Sequence, residues 1–280
     1  MKIFRTVATL RRFLVAGTRP IVLVPTMGAL HSGHEALVRR ARKLAGNHGT
    51  VIVTLFVNPT QFGPGEDFSK YPRTFSADKK LCLSAGADII FSPAPTEMYK
   101  QGASTFVDET TLSLPLCGSS RPGHFRGVCT VVAKLFHIVS PDTAVFGEKD
   151  WQQLAVIRRM VRDLDFPVKI ISHPIVREES GLALSSRNSY LTPARRTEAA
   201  SIYNALRAAA KDKSATPAEI IAHARRAIQG ISGATIDYLE IRDAETLALS
   251  SSKSPRRGNK LRLFVAVRLD GVRLIDNIAI

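Results

Sequence analysis

Short β-branched apolar runs alternate along this chain with longer stretches whose apolar residues recur every three or four positions, the pattern of strands and helices in turn. Residues 21–24 (IVLV) are too few for a buried helix and stop at Pro25 and Gly28, which predicts a central parallel strand. Helical spacing follows: Leu37, Val38, Ala41, Leu44 and Ala45 share one face, with Arg39, Arg40, Arg42 and Lys43 on most of the other. Residues 50–57 (TVIVTLFV) and 87–91 (ADIIF) predict two further strands, with a helix started by Thr74 and running to about Ala85 between them. The order β-α-β-α-β is that of a doubly wound sheet, in which ligands bind outside the carboxyl ends of the strands. The loop His31-Ser32-Gly33-His34 and the loop carrying Gln61 therefore fall on one rim.

Farther along, residues 128–139 read as an apolar helix stopped by Ser140-Pro141. A strand over residues 143–146 leads to Gly147-Glu148-Lys149-Asp150, a helix starts at Trp151, and residues 166–172 are strand-like. Residues 181–188 form a polar loop. From about Asn188 the composition turns to alanine-rich helices, started by Thr192-Pro193 and by the capping box Thr216-Pro217-Ala218-Glu219. Strands over residues 261–269 and 272–275 then meet at the hairpin signal Asp270-Gly271. The expected fold is α/β: a doubly wound parallel sheet over residues 1–187 and a second, smaller α+β domain over residues 188–280.

Composition agrees with a large core, since 45% of the 280 residues are hydrophobic. No stretch approaches the roughly 20 apolar residues of a membrane span, so no membrane partner is expected. The opening residues 1–17 carry arginines inside their apolar pattern and read as a helix of the fold, not as a cleaved leader. Cys82, Cys117 and Cys129 have neither metal-ligand spacing nor a paired framework, which fits a reducing, cytoplasmic setting. The net charge of +15 raises nucleic acid as a partner. The basic residues are nevertheless scattered over helix faces, and the one cluster, Lys253, Arg256, Arg257, Lys260 and Arg262, lacks interleaved aromatics, so no nucleic acid is expected.

The histidine loop precedes a helix, where free backbone N–H groups and the helix dipole favour an anion such as a triphosphate. Zinc would need a third ligand that the spacing does not supply; histidines that merely cap the helix are the other alternative. Lys149 at a strand end can neutralise phosphate, or be a surface lysine. Asp150 and Gln153 match D-x-x-Q, a capping box that would occupy Gln153. Gln61 can donate and accept towards a hydroxy acid. Ser185-Ser186-Arg187 suits closure over phosphates, Arg121 and His124 are either an anion clamp or a helix start, and Asp78 is either a magnesium ligand or a helix-surface residue. No P-loop, G-x-G-x-x-G or serine–histidine–acid pattern is present.

Taken together, Pro25-Thr26-Met27-Gly28, His31-x-Gly33-His34, Phe56-Val57-Asn58-Pro59-x-Gln61-Phe62 and Tyr71-Pro72-Arg73-Thr74 carry a resemblance that continues through the chain. It is extended by Arg121-Pro122-Gly123-His124-Phe125-Arg126-Gly127-Val128, FGEKDWQQ from Phe146, LSSRN from Leu184 and LIDN from Leu274. The chain resembles the pantothenate synthetase (pantoate–β-alanine ligase) family over essentially its whole length. The resemblance implies a Rossmann-like, homodimeric enzyme whose first domain binds ATP and pantoate. It implies Mg2+ with ATP, a pantoyl adenylate made with release of pyrophosphate, and β-alanine displacing AMP. It further implies that His31 and His34 contact the phosphates, with His34 as proton donor and Lys149 beside them. Met27, Gly28, Ala29, Leu30, Ser32 and Gly33 would line the nucleotide, completed by Gly147, Glu148, Asp150, Val176, Leu184, Ser185, Ser186 and Arg187. Gln61 and Gln153 would hold pantoate, and Gln61 would meet β-alanine. Ser32 fills a variable slot, and Cys117 stands where an acidic residue is expected.

Overall fold

The computed structural model describes residues 1–212, 214–250 and 260–280. The chain opens with β1 (Lys2–Phe4), α1 (Val7–Leu14), β2 (Ile21–Thr26), α2 (Ser32–Ala45) and β3 (Thr50–Leu55). It continues through α3 (Phe75–Ala85), β4 (Ile89–Phe91), α4 (Pro95–Met98), α5 (Cys117–Ser120) and α6 (His124–Val139) to β5 (Thr143–Gly147), α7 (Trp151–Asp163) and β6 (Lys169–His173). The C-terminal part holds α8 (Pro193–Ala209), α9 (Pro217–Gln229), β7 (Ala234–Asp243), β8 (Leu261–Leu269) and β9 (Val272–Ala279).

The main sheet has the order β1-β4-β3-β2-β5-β6, with every pairing parallel. Winding runs from β2 to β3 and β4 on one side, then returns to β5 and β6 on the other, which makes the β2/β5 boundary the switch point. There β5 pairs only with Val22 and Leu23 of β2, and the two strands part beyond them. Because strand side chains alternate, Ile21, Leu23 and Ile52 enter one apolar cluster with α6 and α7, whereas Val22, Val24, Val51 and Val53 enter another with α2 and α3. Both faces are covered, as an all-parallel sheet requires.

Several expected boundaries move. Residues 2–4 are not helical; they extend the sheet edge by pairing with Ile89, Ile90 and Phe91, and helix begins only after Thr6, whose side chain accepts from the Thr9 N–H. β2 continues through Pro25 to Thr26, where Thr26 Oγ1 donates to the Thr54 carbonyl at 2.6 Å. Thr74 makes no side-chain cap on α3; its hydroxyl goes to Asp78 instead. In the smaller lobe an antiparallel sheet β7-β8-β9 packs with α8 and α9 around a core of its own. β7 has no counterpart among the strands that the sequence pattern predicts, and β9 extends past residue 275 to Ala279.

The lobes are not cleanly cut at residue 188. Leu182 belongs to the small core, while Leu247 and Phe264 join the main one. Lys253, Arg256 and Arg257 lie outside the described residues; Arg262 is buried and so is no part of a surface basic cluster. Cys82, Cys117 and Cys129 are free and buried, and desolvation pushes the Cys82 and Cys129 thiols up to about 12. Among the described residues no helix is long and apolar enough to cross a membrane.

Candidate active site

Turns at the carboxyl ends of three neighbouring strands meet at the switch point: residues 27–31 after β2, a 3-10 turn Pro59–Gln61 after β3, and a 3-10 turn Glu148–Asp150 after β5. They surround a cavity of about 240 Å³. Met27, His31, Gly33 and His34 line one wall, Gln61 another, and Gly147, Lys149, Asp150 and Gln153 a third. Val176, Leu184, Ser185, Ser186 and Arg187 complete it. A second cavity of about 300 Å³ shares Lys149, Asp150, Gln153, Ser185 and Arg187 and reaches β9 of the small lobe.

The two histidines do cap the helix, and the capping determines their chemistry. His31 Nδ1 accepts from the Gly33 N–H at 3.2 Å, and His34 Nδ1 accepts from the His31 N–H at 3.3 Å. An accepting Nδ1 carries no proton, so each neutral ring bears its hydrogen on Nε2. Burial lowers the His31 pKa to about 4, with the Lys149 charge assisting. Burial likewise lowers His34 to about 3, helped by His31 and Lys149. The rings lie 4.1 Å apart. The result is a pair of neutral N–H donors at a helix N-terminus beside an ammonium, suited to oxygens that gain negative charge.

Asp78 turns out to have a different task from the expected metal ligand. Its Oδ1 accepts from the Leu30 N–H at 2.8 Å and the Thr74 hydroxyl at 3.0 Å, and its Oδ2 from the Ala29 N–H at 3.1 Å. The carboxylate thus holds the histidine loop from behind, where Gly28 (φ +85°) and Ala29 (φ +51°) turn left-handed. A Cβ on Gly28 would sit 3.1 Å from Asp78 Oδ2 in a backbone conformation that side chains disfavour. Gly28, Ala29, Leu30 and Ser32, expected against the nucleotide, are absent from the cavity lining, and Ala29 and Leu30 spend their backbone N–H groups on Asp78. Glu148 also lies off the cavity, with Oε1 accepting from Ser172 Oγ at 2.8 Å. Among the described residues no cluster of three or more His, Cys, Asp or Glu side chains could hold a metal, and Asp150 is the one carboxylate lining the first cavity.

Gln61 is buried and oriented. Asn58 Nδ2 donates to Gln61 Oε1 at 3.2 Å, leaving Gln61 Nε2 against the Met27 thioether at 3.0 Å. Sulfur is a weak acceptor, so this N–H is only weakly engaged. Arg121 and His124 hold this turn and are not a free anion clamp: Arg121 forks onto Glu66 at 2.7 Å and reaches His124 Nε2 at 3.0 Å. Because guanidinium only donates, His124 Nε2 accepts and Nδ1–H donates to the Gln61 carbonyl at 2.8 Å. Burial, with Arg121, lowers His124 to about 4.

Asp150 makes no cap bond to α7, so the D-x-x-Q capping reading fails and Gln153 stays available to both cavities. Its neighbour Gln152 is the structural one, donating to the Leu112 and Pro115 carbonyls and accepting from the Cys117 N–H. The serine loop is an anchored 3-10 turn, Ser186–Tyr190: Ser186 Oγ donates to the Ala29 carbonyl at 3.1 Å, and Arg187 forks onto Asp67 at 2.9 and 3.0 Å. Residue chemistry in the sequence does not single out Asn58, Glu66, Asp67 or Asn277. Asn58 and Asn277 stand in motifs that carried the resemblance, which was their only signal.

A sequence profile of the pantoate-beta-alanine ligases matches residues 2–279. The chain belongs to that family. The pantoate–β-alanine ligase relatives include the "Pantothenate synthetase" of Akkermansia muciniphila, 51% identical over 99% of both chains, and that of Sphingopyxis alaskensis, 49% identical over the full length of both. The ligase fold recurs in the crystal structure of the Thermus thermophilus enzyme, with TM-score 0.91 and 46% identity over 99% of each chain. A Francisella tularensis pantoate-beta-alanine ligase, described as complexed with beta-gamma ATP and beta-alanine, superposes with TM-score 0.82 at 34% identity, covering 100% of this chain and 97% of that one.

Proposed function

We propose that this ligase makes pantothenate from pantoate and β-alanine through a pantoyl adenylate. The observation that carries the reading is the pair of neutral histidine Nε2–H donors beside Lys149 at the switch point, with Gln61 and Gln153 lining the same cavity. A pantoate carboxylate oxygen attacks the α-phosphorus of ATP; the Pα–O bond to the β-phosphate breaks and pyrophosphate leaves. No base is needed, because the nucleophile is already ionised. His31, His34 and Lys149 stabilise charge gathering on the phosphate oxygens, with Arg187 and Ser185 gripping the nucleotide. Gln61 and Gln153 hold the pantoate hydroxyl and carboxylate. The neutral amine of β-alanine, arriving near Gln61, then attacks the acyl carbon, the C–O bond to AMP breaks, and the amine proton is lost to solvent.

Magnesium fits this donor set only as a passenger on ATP, with Asp150 as its protein carboxylate, since Mg2+ at phosphates keeps most of its ligands as phosphate oxygen and water. When bound it neutralises phosphate charge. A cytoplasmic homodimer without a nucleic-acid partner belongs to the same reading; light scattering on the purified protein checks the dimer. The test of function is a product assay with ATP, magnesium, pantoate and β-alanine. Pantothenate with AMP is expected, together with ATP–pyrophosphate exchange supported by pantoate alone. Release of ADP, or exchange that requires β-alanine, would overturn the adenylate.

A further inference from the structure

Asp276 and Asn277 are neighbours on β9, yet their side chains brace, from outside the cavity, two different segments that carry its lining residues. Asn277 Nδ2 donates to the Glu148 carbonyl at 3.0 Å and the Lys149 carbonyl at 2.9 Å. Its Oδ1 accepts from Arg262 Nη1. Arg262 is itself buried, with its guanidinium 3.5 Å over the Trp151 ring, and Trp151 Nε1 donates to the Ala244 carbonyl at 2.7 Å. The amide is thus fixed in direction, with its N–H side towards the Lys149 turn. That turn has no side-chain cap of its own. On the other wall, buried Asp276 receives both Nη atoms of the half-buried Arg177 at 2.6 and 2.8 Å. Arg177 follows Val176, whose carbonyl accepts from the Leu184 N–H at 3.0 Å.

We propose that Asn277 is a positioning residue for the nucleotide: from the small lobe it sets the Lys149 ammonium at its working place opposite His31 and His34, while Asp276 does the same for the Val176–Leu184 wall through Arg177. The proposal rests on Lys149 being the phosphate ligand of the reaction above. It gives the small lobe a task in the chemistry although, among the described residues, neither side chain of the pair lines the first cavity.

Asn277→Asp is the informative change, because it keeps the shape and the acceptor for Arg262 but turns both donors into oxygen facing two carbonyls. Measured by titration calorimetry, ATP binding is expected to weaken about tenfold, with pantoate affinity changed by no more than about twofold. In a Lys149→Ala background the same substitution is expected to add about twofold or less, since its effect passes through Lys149. Equal losses for ATP and pantoate, or an undiminished loss in the Lys149→Ala background, overturn the proposal. If Lys149→Ala alone leaves ATP binding unchanged, the phosphate assignment fails and takes the proposal with it, a result distinct from additivity. Asn277→Ser, which retains one hydroxyl donor, is the milder variant should the aspartate fail to fold by circular dichroism. It is expected to show the same ATP-selective loss at smaller size, and a loss shared by both ligands would count against the role.

Discussion

His31 and His34 each commit Nδ1 to a backbone N–H, and burial keeps both rings neutral at physiological pH. The pattern H-x-G-H indicated a helix start that favours an anion; it did not reveal which nitrogen faces the cavity, because that depends on hydrogen bonds made after folding. The same is true of the pairs Glu66–Arg121 and Asp67–Arg187, which join residues 55 and 120 positions apart. His34→Ala is expected to lose roughly 3 kcal/mol of transition-state stabilisation, as removal of one preorganised donor does, with pantoate affinity little changed; pyrophosphate-exchange kinetics measure it, and an unaltered kcat rules out the role. A second expectation concerns pH. An unfolded histidine titrates near 6.5, whereas the folded values of about 4 and about 3 lie below it, so between these limits the unfolded chain binds more protons. Stability from the pair is therefore complete above about pH 6.5 and drains away as pH falls through 4 towards 3. Melting temperatures from pH 7 to pH 4 should fall, and fall less steeply in His34→Asn, whose amide oxygen can still accept the His31 N–H; identical slopes refute the assignment.

At the scale of elements, the helices and strands with a full period were readable, and so was their carboxyl-end rim. β1 is only three residues long, which is too short for alternation to register, and its partner β4 lies more than eighty residues away. β7 was hidden because half-buried Asp237, Glu240 and Arg242 interrupt its apolar positions; their charges are met by ion pairs with neighbouring arginines or, for Arg242, with Glu240. Gly127 shows how one helix places a site residue. A Cβ there would lie 2.3 Å from the Thr60 carbonyl oxygen and 2.6 Å from the Gln61 nitrogen, so only glycine lets α6 rest on the Pro59–Gln61 turn. Gly127→Ala must push that turn aside, at a cost of about 1–3 kcal/mol. The expected kinetic signature is a raised KM for pantoate with the KM for ATP nearly constant, and a parallel rise in both would mean the damage is general.

For the molecule as a whole, the two-lobe division was legible from the change in composition, but the joint was not. Leu247 and Phe264 enter the main core, and Trp151, the single tryptophan, stacks on Arg262 and bonds Ala244. Lobes that share apolar contacts should melt together, so calorimetry and Trp151 fluorescence are expected to give coincident transitions, and two resolved steps would contradict it. The Asp67–Arg187 pair has a consequence at this scale too. Its guanidinium already has an anion, so an incoming phosphate gains only the difference between its own attraction and that of the carboxylate. On the proposed nucleotide site the pair would act as a threshold, which an anion of low charge such as inorganic phosphate is expected to fall short of and a triphosphate to clear. Asp67→Asn is expected to let inorganic phosphate compete with ATP at concentrations that leave the unaltered protein unaffected, and equal competition in both proteins would show that no threshold exists.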